Sequence, residues 1–157
     1  MTAHRLLYQS FPKADGSFAK EDTDILQDIG KWLSTNGESI YNSKSWRYPS
    51  EGPTEEIEGQ FSDGIATSYT SQDFRFTAGN GCIYAICLSY PNDGKITIQS
   101  LSKSKDANKP NFHGIIRDVE ILGFDEKPDY AIDKDGLHFA TSTVKSNFPV
   151  VIKVHVE

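Results

Sequence analysis

The sequence lacks long apolar runs. No stretch approaches the roughly 20 consecutive apolar residues that a transmembrane helix needs, so we predict no membrane-spanning segment. The first ten residues contain a single aliphatic pair, Leu6 and Leu7, which is too short for the apolar centre of a secretory signal. We expect that a signal peptide either precedes this sequence in a longer protein or does not exist.

The sequence also lacks a basic stripe. Its 16 Lys and Arg residues are outnumbered by 22 Asp and Glu residues, which gives a formal net charge of −6. Nucleic-acid phosphates are bound by clustered Lys and Arg side chains, so this balance argues against a nucleic-acid partner. Neutral sugars, by contrast, place no demand on the net charge.

Cysteine is scarce, and the two that occur are Cys82 and Cys87. If both lie in one strand, their odd separation places the two side chains on opposite faces. Five residues at about 3.3 Å each also separate them by about 16 Å, whereas a disulfide spans at most roughly 7 Å. We therefore predict two unpaired structural thiols, which indicate nothing about the redox compartment.

An amphipathic helix is the main feature of the first third of the chain. Between residues 19 and 34, apolar side chains recur at helical spacing. Acidic residues occupy the first turns, where the helix dipole favours anions, and Asn36-Gly37 is a typical helix end. The apolar stripe of this helix consists of Ile25, Leu26, Ile29, Trp32 and Leu33.

The second half of the chain has the pattern of a β-sandwich. Apolar residues alternate with polar ones in short runs, which predict strands at 73–77, 82–90, 95–100, 115–122, 137–141 and 150–156. Asp93-Gly94 and Asp135-Gly136 lie between these runs and favour tight hairpin turns. We predict a mainly β fold, an antiparallel β-sandwich preceded by one helix, with a mobile surface loop at 101–114.

Three stretches, in order, resemble the end of a glycoside hydrolase family 29 α-L-fucosidase. The first is Pro-Lys-Ala-Asp-Gly at residues 12–16, followed by the helix at 21–33. The second is Asn-Gly-Glu-Ser-Ile-Tyr at 36–41, which leads to Trp46 and to Glu-Gly-Pro-Thr at 51–54. The third joins Asp-Phe-Arg-Phe-Thr at 73–77 to 83–86, 119–123 and 135–137.

The resemblance implies a domain organisation. In that family a (β/α)-barrel catalytic domain is followed by a C-terminal β-sandwich. Residues 1–50 would then be a remnant of the barrel end, residues 51–72 a connecting segment and residues 73–157 the C-terminal sandwich. Members of the family are commonly secreted, periplasmic or lysosomal.

The resemblance also implies a function. The chain would be a non-catalytic accessory domain of an α-L-fucosidase, whose full-length form removes terminal α-L-fucose from fucosylated glycans by a retaining mechanism. The family's nucleophile and acid/base residue lie upstream of the matching region, so no catalytic residue carries over to this chain. The alternative is a stand-alone carbohydrate-binding or interaction module without hydrolase activity.

The polar residues themselves predict no chemistry. Retaining hydrolysis needs two carboxyls about 5–5.5 Å apart, one of them with a raised pKa, whereas the acidic residues here fall in positions expected to be solvated. Asp133-Lys134-Asp135-Gly136 resembles the start of a calcium loop, but the closing glutamate is missing and a hairpin turn fits better. The four histidines lack metal-ligand spacing. We predict no metal site and no cofactor.

Two groups of apolar residues remain as candidates for contact with a ligand or partner. Tyr41, Trp46 and Tyr48 form a local aromatic cluster that either stacks on sugar rings or closes the junction between the domains. The apolar stripe of the helix, in a chain without the barrel, would expose an apolar patch. We expect the stripe to pack on the sandwich or to mediate self-association with a second copy of the chain.

Overall fold

The computed structural model describes residues 12–55, 68–105, 108 and 110–157. The opening residues of the predicted barrel remnant, 1–11, and most of the predicted connecting segment, 56–67, lie outside the described residues. The chain divides into two compact units between Thr35 and Asn36. None of the helices in the described ranges has the length and hydropathy of a membrane span.

Helix α1, Lys20–Asn36, lies in the first unit apart from its last residue. The predicted helix is therefore confirmed. Glu21 and Asp22 occupy its first turn, where they complement the helix dipole, and it ends at the predicted Asn36-Gly37 step. Of the stripe residues, Ile25 and Leu26 are 45% and 48% exposed, and the other three are half-buried.

The second unit is an antiparallel β-sandwich, as predicted. Its strands are β1 Lys44–Glu51, β2 Phe74–Gly79, β3 Cys82–Cys87, β4 Lys95–Ile98, β5 Ile116–Ile121, β6 Tyr130–Ile132, β7 Leu137–Ala140 and β8 Val150–Val156. The described residues form a five-stranded sheet in the order β1-β2-β3-β8-β5 and a three-stranded sheet in the order β4-β7-β6. The inward-facing side chains of both sheets meet in one apolar core.

The central strand of the larger sheet is β3, and all six of its residues are buried. This matches the prediction of a strand covered on both faces. Cys87 faces the core between the sheets, Cys82 faces the other way, and both thiols are free. In β8, Val150, Ile152 and Val154 point into the core, and Val156 packs against its edge, as the alternating pattern predicts.

Strand β1 lies in a region that the sequence assigned to the barrel remnant. It pairs with β2 at the edge of the larger sheet, so the expected boundary near Ser50 falls inside a strand of the sandwich. The edge position explains why Pro49 is tolerated in β1, because an edge strand has one side free of ladder hydrogen bonds. The sequence is compatible with one or two short strands between residues 41 and 73, but Pro49 within β1 and Gly52-Pro53 directly after it interrupt the alternation, so the pattern does not assign this strand to the sandwich.

The two predicted hairpin turns have different outcomes. Asp135-Gly136 joins β6 to β7, which pair with each other, so this hairpin is confirmed. Asp93-Gly94 instead carries the chain from β3 in the larger sheet to β4 in the smaller one, so the hairpin predicted there is wrong. The Gly94 N–H donates to Pro91 O at 3.0 Å, which makes a tight turn without pairing the flanking strands.

The structure differs from the sequence-based expectations at two further places, the start of β5 and the segment 101–114. In the strand predicted at 115–122, alternation places Ile115 on the same face as Val119 and Ile121, but Ile115 is 53% exposed and Ile116 is buried instead. An irregularity in the pairing of β5 with β8, between Ile116 and Asp118, shifts the alternation. The predicted mobile loop at 101–114 is in its described part tied to the sandwich, since the Lys103 N–H donates to Asp133 O at 2.7 Å and Phe112 lies in the core.

Candidate functional site

The structure brings two of the three candidate aromatic residues together. The ring centroids of Trp46 and Tyr48 lie 5.4 Å apart, edge to face. Both side chains are half-buried. Tyr41 is 59% exposed, and its ring lies so close to Gly37 that a Cβ there would approach Tyr41 Cε2 to 2.8 Å. Among the described residues, Tyr41 makes no ring contact with the other two.

An irregular strand presents Trp46 and Tyr48. In the pairing of β1 with β2, Ser45 lies opposite Thr77 and Ser50 lies opposite Arg75. Four residues of β1, 46–49, are therefore accommodated opposite Phe76 alone. Such an insertion bends the strand and turns its side chains, which places the Trp46 ring over the edge of the core.

Two phenylalanines that the sequence analysis did not single out complete the cluster. The Trp46 ring centroid lies 5.3 Å from that of Phe76 and 6.2 Å from that of Phe112. Phe76 lies in the strand predicted at 73–77, where alternation places it on the inward face. Phe112 lies in the segment 101–114, which the sequence predicts to be a mobile loop. The one available signal was that Phe112 is a large apolar residue among polar neighbours.

Two cations lie over this aromatic cluster. The guanidinium of Arg47 lies 4.9 Å from the Tyr48 ring centroid and donates to Asn111 O at 2.6 Å. The ammonium of Lys103 lies 5.4 Å from the Phe112 ring centroid and donates to Gly114 O at 2.8 Å. Contacts of a cation with an aromatic face are attractive, by about 0.5–1 kcal/mol at exposed sites, so these side chains favour the observed positions of the rings.

Asp73 is the most buried carboxylate among the described residues, and both of its oxygens accept hydrogen bonds within the fold. It is 1% exposed, and its two oxygens accept hydrogen bonds from the N–H and hydroxyl groups of both Thr54 and Thr70, at 2.6 to 3.0 Å. Burial opposes ionisation of Asp73, but these hydrogen bonds outweigh it and lower the pKa to about 2. Asp73 is thus a structural anchor for two loops.

Glu51 and Glu126 also accept hydrogen bonds from backbone N–H groups. Burial raises the pKa of Glu51, against the opposing effect of hydrogen bonds from Ser100 and Gln99, whose N–H groups lie 2.7 and 2.9 Å from its oxygens. Hydrogen bonds from Thr143 and Ser142 lower the pKa of Glu126 to about 2. A carboxyl that acts as a general acid needs a raised pKa and a proton that it can transfer to a substrate. The pKa of Glu126 is lowered, and the two oxygens of Glu51 each accept a backbone hydrogen bond, so neither side chain meets both conditions.

A sulfur, an imidazole and a carboxylate lie next to one another on the outer face of the larger sheet. Cys82 Sγ lies 3.5 Å from His155 Nδ1, and His155 Nε2 lies 2.8 Å from Glu120 Oε1. Burial raises the pKa of the Cys82 thiol, which keeps it protonated and a poor nucleophile. Within the part of the chain that the structure describes, no three His, Cys, Asp or Glu side chains come together as metal ligands.

The segment 133–136, which resembles the start of a calcium loop, forms the turn of a hairpin. Asp133 Oδ1 accepts hydrogen bonds from the N–H groups of Asp135 at 2.7 Å and Gly136 at 3.2 Å, and it lies 2.8 Å from His138 Nε2. The hydrogen bond from Asp135, followed by that with His138, lowers the pKa of Asp133. Its carboxylate therefore stabilises the turn that joins β6 to β7.

Comparison with known proteins gives these features a family. Residues 67–153 match the family described as the Alpha-L-fucosidase C-terminal domain. The chain is 34% identical over 89 residues to the tissue alpha-L-fucosidase of Rattus norvegicus, which covers 57% of this chain and 16% of that protein. It is 32% identical over 93 residues to an alpha-L-fucosidase of Branchiostoma floridae, with 59% and 17% covered.

Solved structures show the same fold. The Thermotoga maritima alpha-fucosidase in complex with a mechanism-based inhibitor superimposes with a TM-score of 0.64 and 21% identity, over 93% of this chain and 29% of that chain. The alpha-L-fucosidase isoenzyme 1 of Paenibacillus thiaminolyticus gives 0.63 and 19%, over 94% and 30%. This chain therefore spans about a sixth of its curated relatives and under a third of these solved chains. The match over residues 67–153 identifies the chain as a member of the α-L-fucosidase C-terminal domain family.

Proposed function

We propose that this chain is the accessory β-sandwich of an α-L-fucosidase and that it carries no catalytic group of its own. In the full-length enzyme, a (β/α)-barrel would remove terminal α-L-fucose from fucosylated glycans by a retaining, two-carboxylate mechanism. The observation that carries the proposal is the family match over residues 67–153. These residues run from just before β2 into β8, the last strand along the chain, and therefore include the strands of the sandwich from β2 onward.

The environments of the carboxylates support an inactive sandwich. A retaining glycosidase holds a nucleophile and an acid/base residue across one sugar bond. In this chain Asp73, Glu51 and Glu126 each accept hydrogen bonds from N–H groups of loops or turns. Carboxylates held in this way stabilise the fold and are not directed at a substrate.

We further propose that residues 12–35 represent the end of the catalytic barrel and that the apolar stripe of α1 is its docking surface. Ile25 and Leu26 are about half exposed, and apolar side chains in such a patch favour burial against a partner. A barrel domain would cover the stripe in the full-length enzyme. In a preparation of this chain by itself, a second copy would cover it.

The first test is hydrolysis of 4-nitrophenyl α-L-fucoside by the purified chain. We expect no nitrophenol release above that of the buffer, because the chain lacks an opposed pair of free carboxyls in the residues that we have described. Release that co-purifies with the chain through two different chromatographic steps would overturn the proposal.

The second test uses the barrel of the Thermotoga maritima alpha-fucosidase, truncated before the region that this chain matches. We expect the chain to bind this barrel in analytical ultracentrifugation, and the double substitution Ile25→Asp, Leu26→Asp to abolish the complex. Gln27→Asp, at an exposed position outside the apolar stripe, is the matched control and should bind normally. Equal binding by all three chains would contradict the assignment of the stripe.

A further inference from the structure

An open groove of about 430 Å³ lies at the turn end of the β2–β3 hairpin. We call it the Trp46 groove. Its walls come from β1, the hairpin, the segment around Phe112 and the end of β8. The residues that matter for its chemistry are Trp46, Phe112, Gly79, Gly81, Lys44 and Asn80.

Neighbouring side chains support the aromatic wall of the groove from the core side. Trp46 contacts Phe76 and Phe112 on the core side, and the remaining half-exposed part of its side chain lines the groove. Phe112 is 8% exposed and is held by the Lys103 ammonium. A preorganised aromatic surface loses little entropy when a ligand binds.

The groove is open because small residues form its other wall. Ala78, Gly79 and Gly81 line it, and none has a side chain larger than a methyl group. Asn80 and Gly81 have positive φ angles of 54° and 74°, as in the tight two-residue turns that join paired strands. The turn thus brings β3 back beside β2 without any bulky side chain that would fill the groove.

The size of the groove favours a small ligand over a protein. Twelve residues line it, whereas a stable protein interface takes about 20–30 residues from each partner. Its volume lies within the range of roughly 300–1,000 Å³ that is typical of small-molecule sites. We therefore take a small molecule, or one unit of an oligosaccharide, as the occupant.

The chemistry of the groove favours a neutral sugar. Trp46 and Phe112 give the groove an aromatic lining, and Lys44, Asn80 and Glu157 contribute polar groups. The Glu157 carboxylate accepts a hydrogen bond from Arg117 Nε at 2.6 Å. With one cationic and one anionic lining residue, the groove has no excess charge to attract a phosphate or a sulfate. Aromatic surface beside a few polar groups suits a pyranose, which has an apolar face and a rim of hydroxyls.

We propose that the Trp46 groove is a non-catalytic subsite for a 6-deoxyhexose, and specifically for an L-fucosyl unit of a glycan. A 6-deoxy sugar carries a methyl group where other hexoses carry a hydroxymethyl group, so it gains more from burial against Trp46 and Phe112. The choice of fucose rests on the proposed function, whereas the shape and chemistry of the groove do not.

The test is a fluorescence titration of the full chain that carries Trp32→Phe, which leaves Trp46 as the single tryptophan. Methyl α-L-fucoside is the probe, and methyl α-L-galactoside, which differs by one hydroxyl, is the control ligand. We expect a saturable change in Trp46 emission with the fucoside and roughly tenfold weaker binding of the galactoside, because a hydroxyl in an apolar contact lowers affinity by about this much or more.

Two variants locate the site without removing its core aromatics. Ala78→Leu fills the groove, and we expect at least tenfold weaker binding. Asn80→Gly removes a polar group but keeps a residue that tolerates positive φ, and we expect a severalfold loss. Thr97→Ala, on the outer side of the smaller sheet, should bind like the parent chain. Each variant is accepted for comparison when its far-UV circular dichroism and unfolding midpoint match those of the parent.

Three results would overturn the proposal. These are no saturable response to the fucoside, equal affinity for both sugars, or unchanged affinity in Ala78→Leu. Concentration-dependent quenching of Trp46 together with a dimer in sedimentation would also overturn it if both persist in the Ile25→Asp, Leu26→Asp variant, because a second copy would then occupy the groove and not the apolar stripe. The proposed accessory role is judged separately by the barrel-binding experiment, so either proposal can fail while the other stands.

Discussion

The two ends of the β2–β3 hairpin are built in different ways. Where β2 begins, the buried Asp73 accepts four hydrogen bonds from Thr54 and Thr70, and the Leu88 N–H donates to Asp73 O at 3.0 Å. At the other end the chain turns through Asn80 and Gly81 beside the open Trp46 groove. One end is closed by polar groups with fixed directions, and the other is apolar and accessible.

The two ends of the hairpin separate residues that stabilise the fold from residues that are available to contact a ligand. Buried hydrogen bonds to a charged group are directional and lose much of their value when one partner is changed. Apolar contacts are non-directional and tolerate a ligand in place of a neighbouring side chain. We therefore expect the Asp73 end to control stability and the Asn80–Gly81 end to control binding.

The largest effect is expected at Asp73. Asp73→Asn places an amide NH₂ where an oxygen now accepts hydrogen bonds, so at least one of the four donors loses its acceptor in a buried position. Losing a hydrogen bond to a buried charged group costs about 1.5–3 kcal/mol, and we expect the free energy of unfolding to fall by about 3 kcal/mol. Urea denaturation at pH 7 measures this difference.

Asp125→Asn, at an exposed position, is the control for the loss of one negative charge and should change stability by less than about 0.5 kcal/mol. A similar loss of stability in both variants would mean that the net charge, and not the hydrogen-bonded Asp73 carboxylate, decides the outcome.

A smaller effect is expected from pH. The pKa of Asp73 is lowered to about 2 in the folded chain, from an ordinary value of 3.8. A lowered pKa contributes stability above the unfolded pKa, and this contribution is lost as pH falls from about 4 towards 2. The shift corresponds to about 2 kcal/mol. The stability difference between the parent chain and Asp73→Asn should therefore shrink by about this amount between pH 6 and pH 2.

The parent and variant must be compared at each pH because other carboxyls also titrate. The pKa of Glu126 is lowered as well, whereas that of Glu51 is raised, and the two affect the acid limb in opposite directions. The carboxyls of Glu51 and Glu126 are present in both the parent chain and Asp73→Asn. Their contributions therefore cancel in the stability difference between the two. A difference that stays constant down to pH 2 would show that ionised Asp73 does not stabilise the fold.

Much of the sandwich could be predicted because its strongest signals are local. The continuous apolar run of β3 and the alternation in β8 are readable within seven residues, and the parity of Cys82 and Cys87 follows from strand geometry. The helix end at Asn36-Gly37 is equally local. Sequence reasoning failed where pairing is long-range. Nothing within β1 indicates that it pairs with β2 across a segment of more than 20 residues.

The same distinction applies to the candidate site. Trp46 and Tyr48 were found because they are neighbours in the sequence, and the structure places their rings in contact. Phe112 lies 66 positions after Trp46, and its role depends on how the 101–114 segment folds back onto the sandwich. Tyr41 shows the reverse error, because closeness in sequence did not produce ring contact with the other two.

The smallest expected effect lies at the turn end of the hairpin and compares two glycines. Gly81 has a φ of +74°, which an L-residue with a Cβ adopts only with strain, whereas Gly30 lies inside α1 with open space around it. Gly81→Ala should lower the free energy of unfolding of the sandwich by about 1 kcal/mol. Gly30→Ala should favour the helix by about 0.5–1 kcal/mol, because alanine loses less backbone entropy on folding.

Urea unfolding followed by near-UV circular dichroism reports on the sandwich, and thermal loss of the 222 nm signal reports on the helix. If the two substitutions change the free energy of unfolding in opposite directions, the positive φ of the turn, and not a general intolerance of added methyl groups, sets the geometry beside the Trp46 groove. A stabilising Gly81→Ala would refute this view of the hairpin.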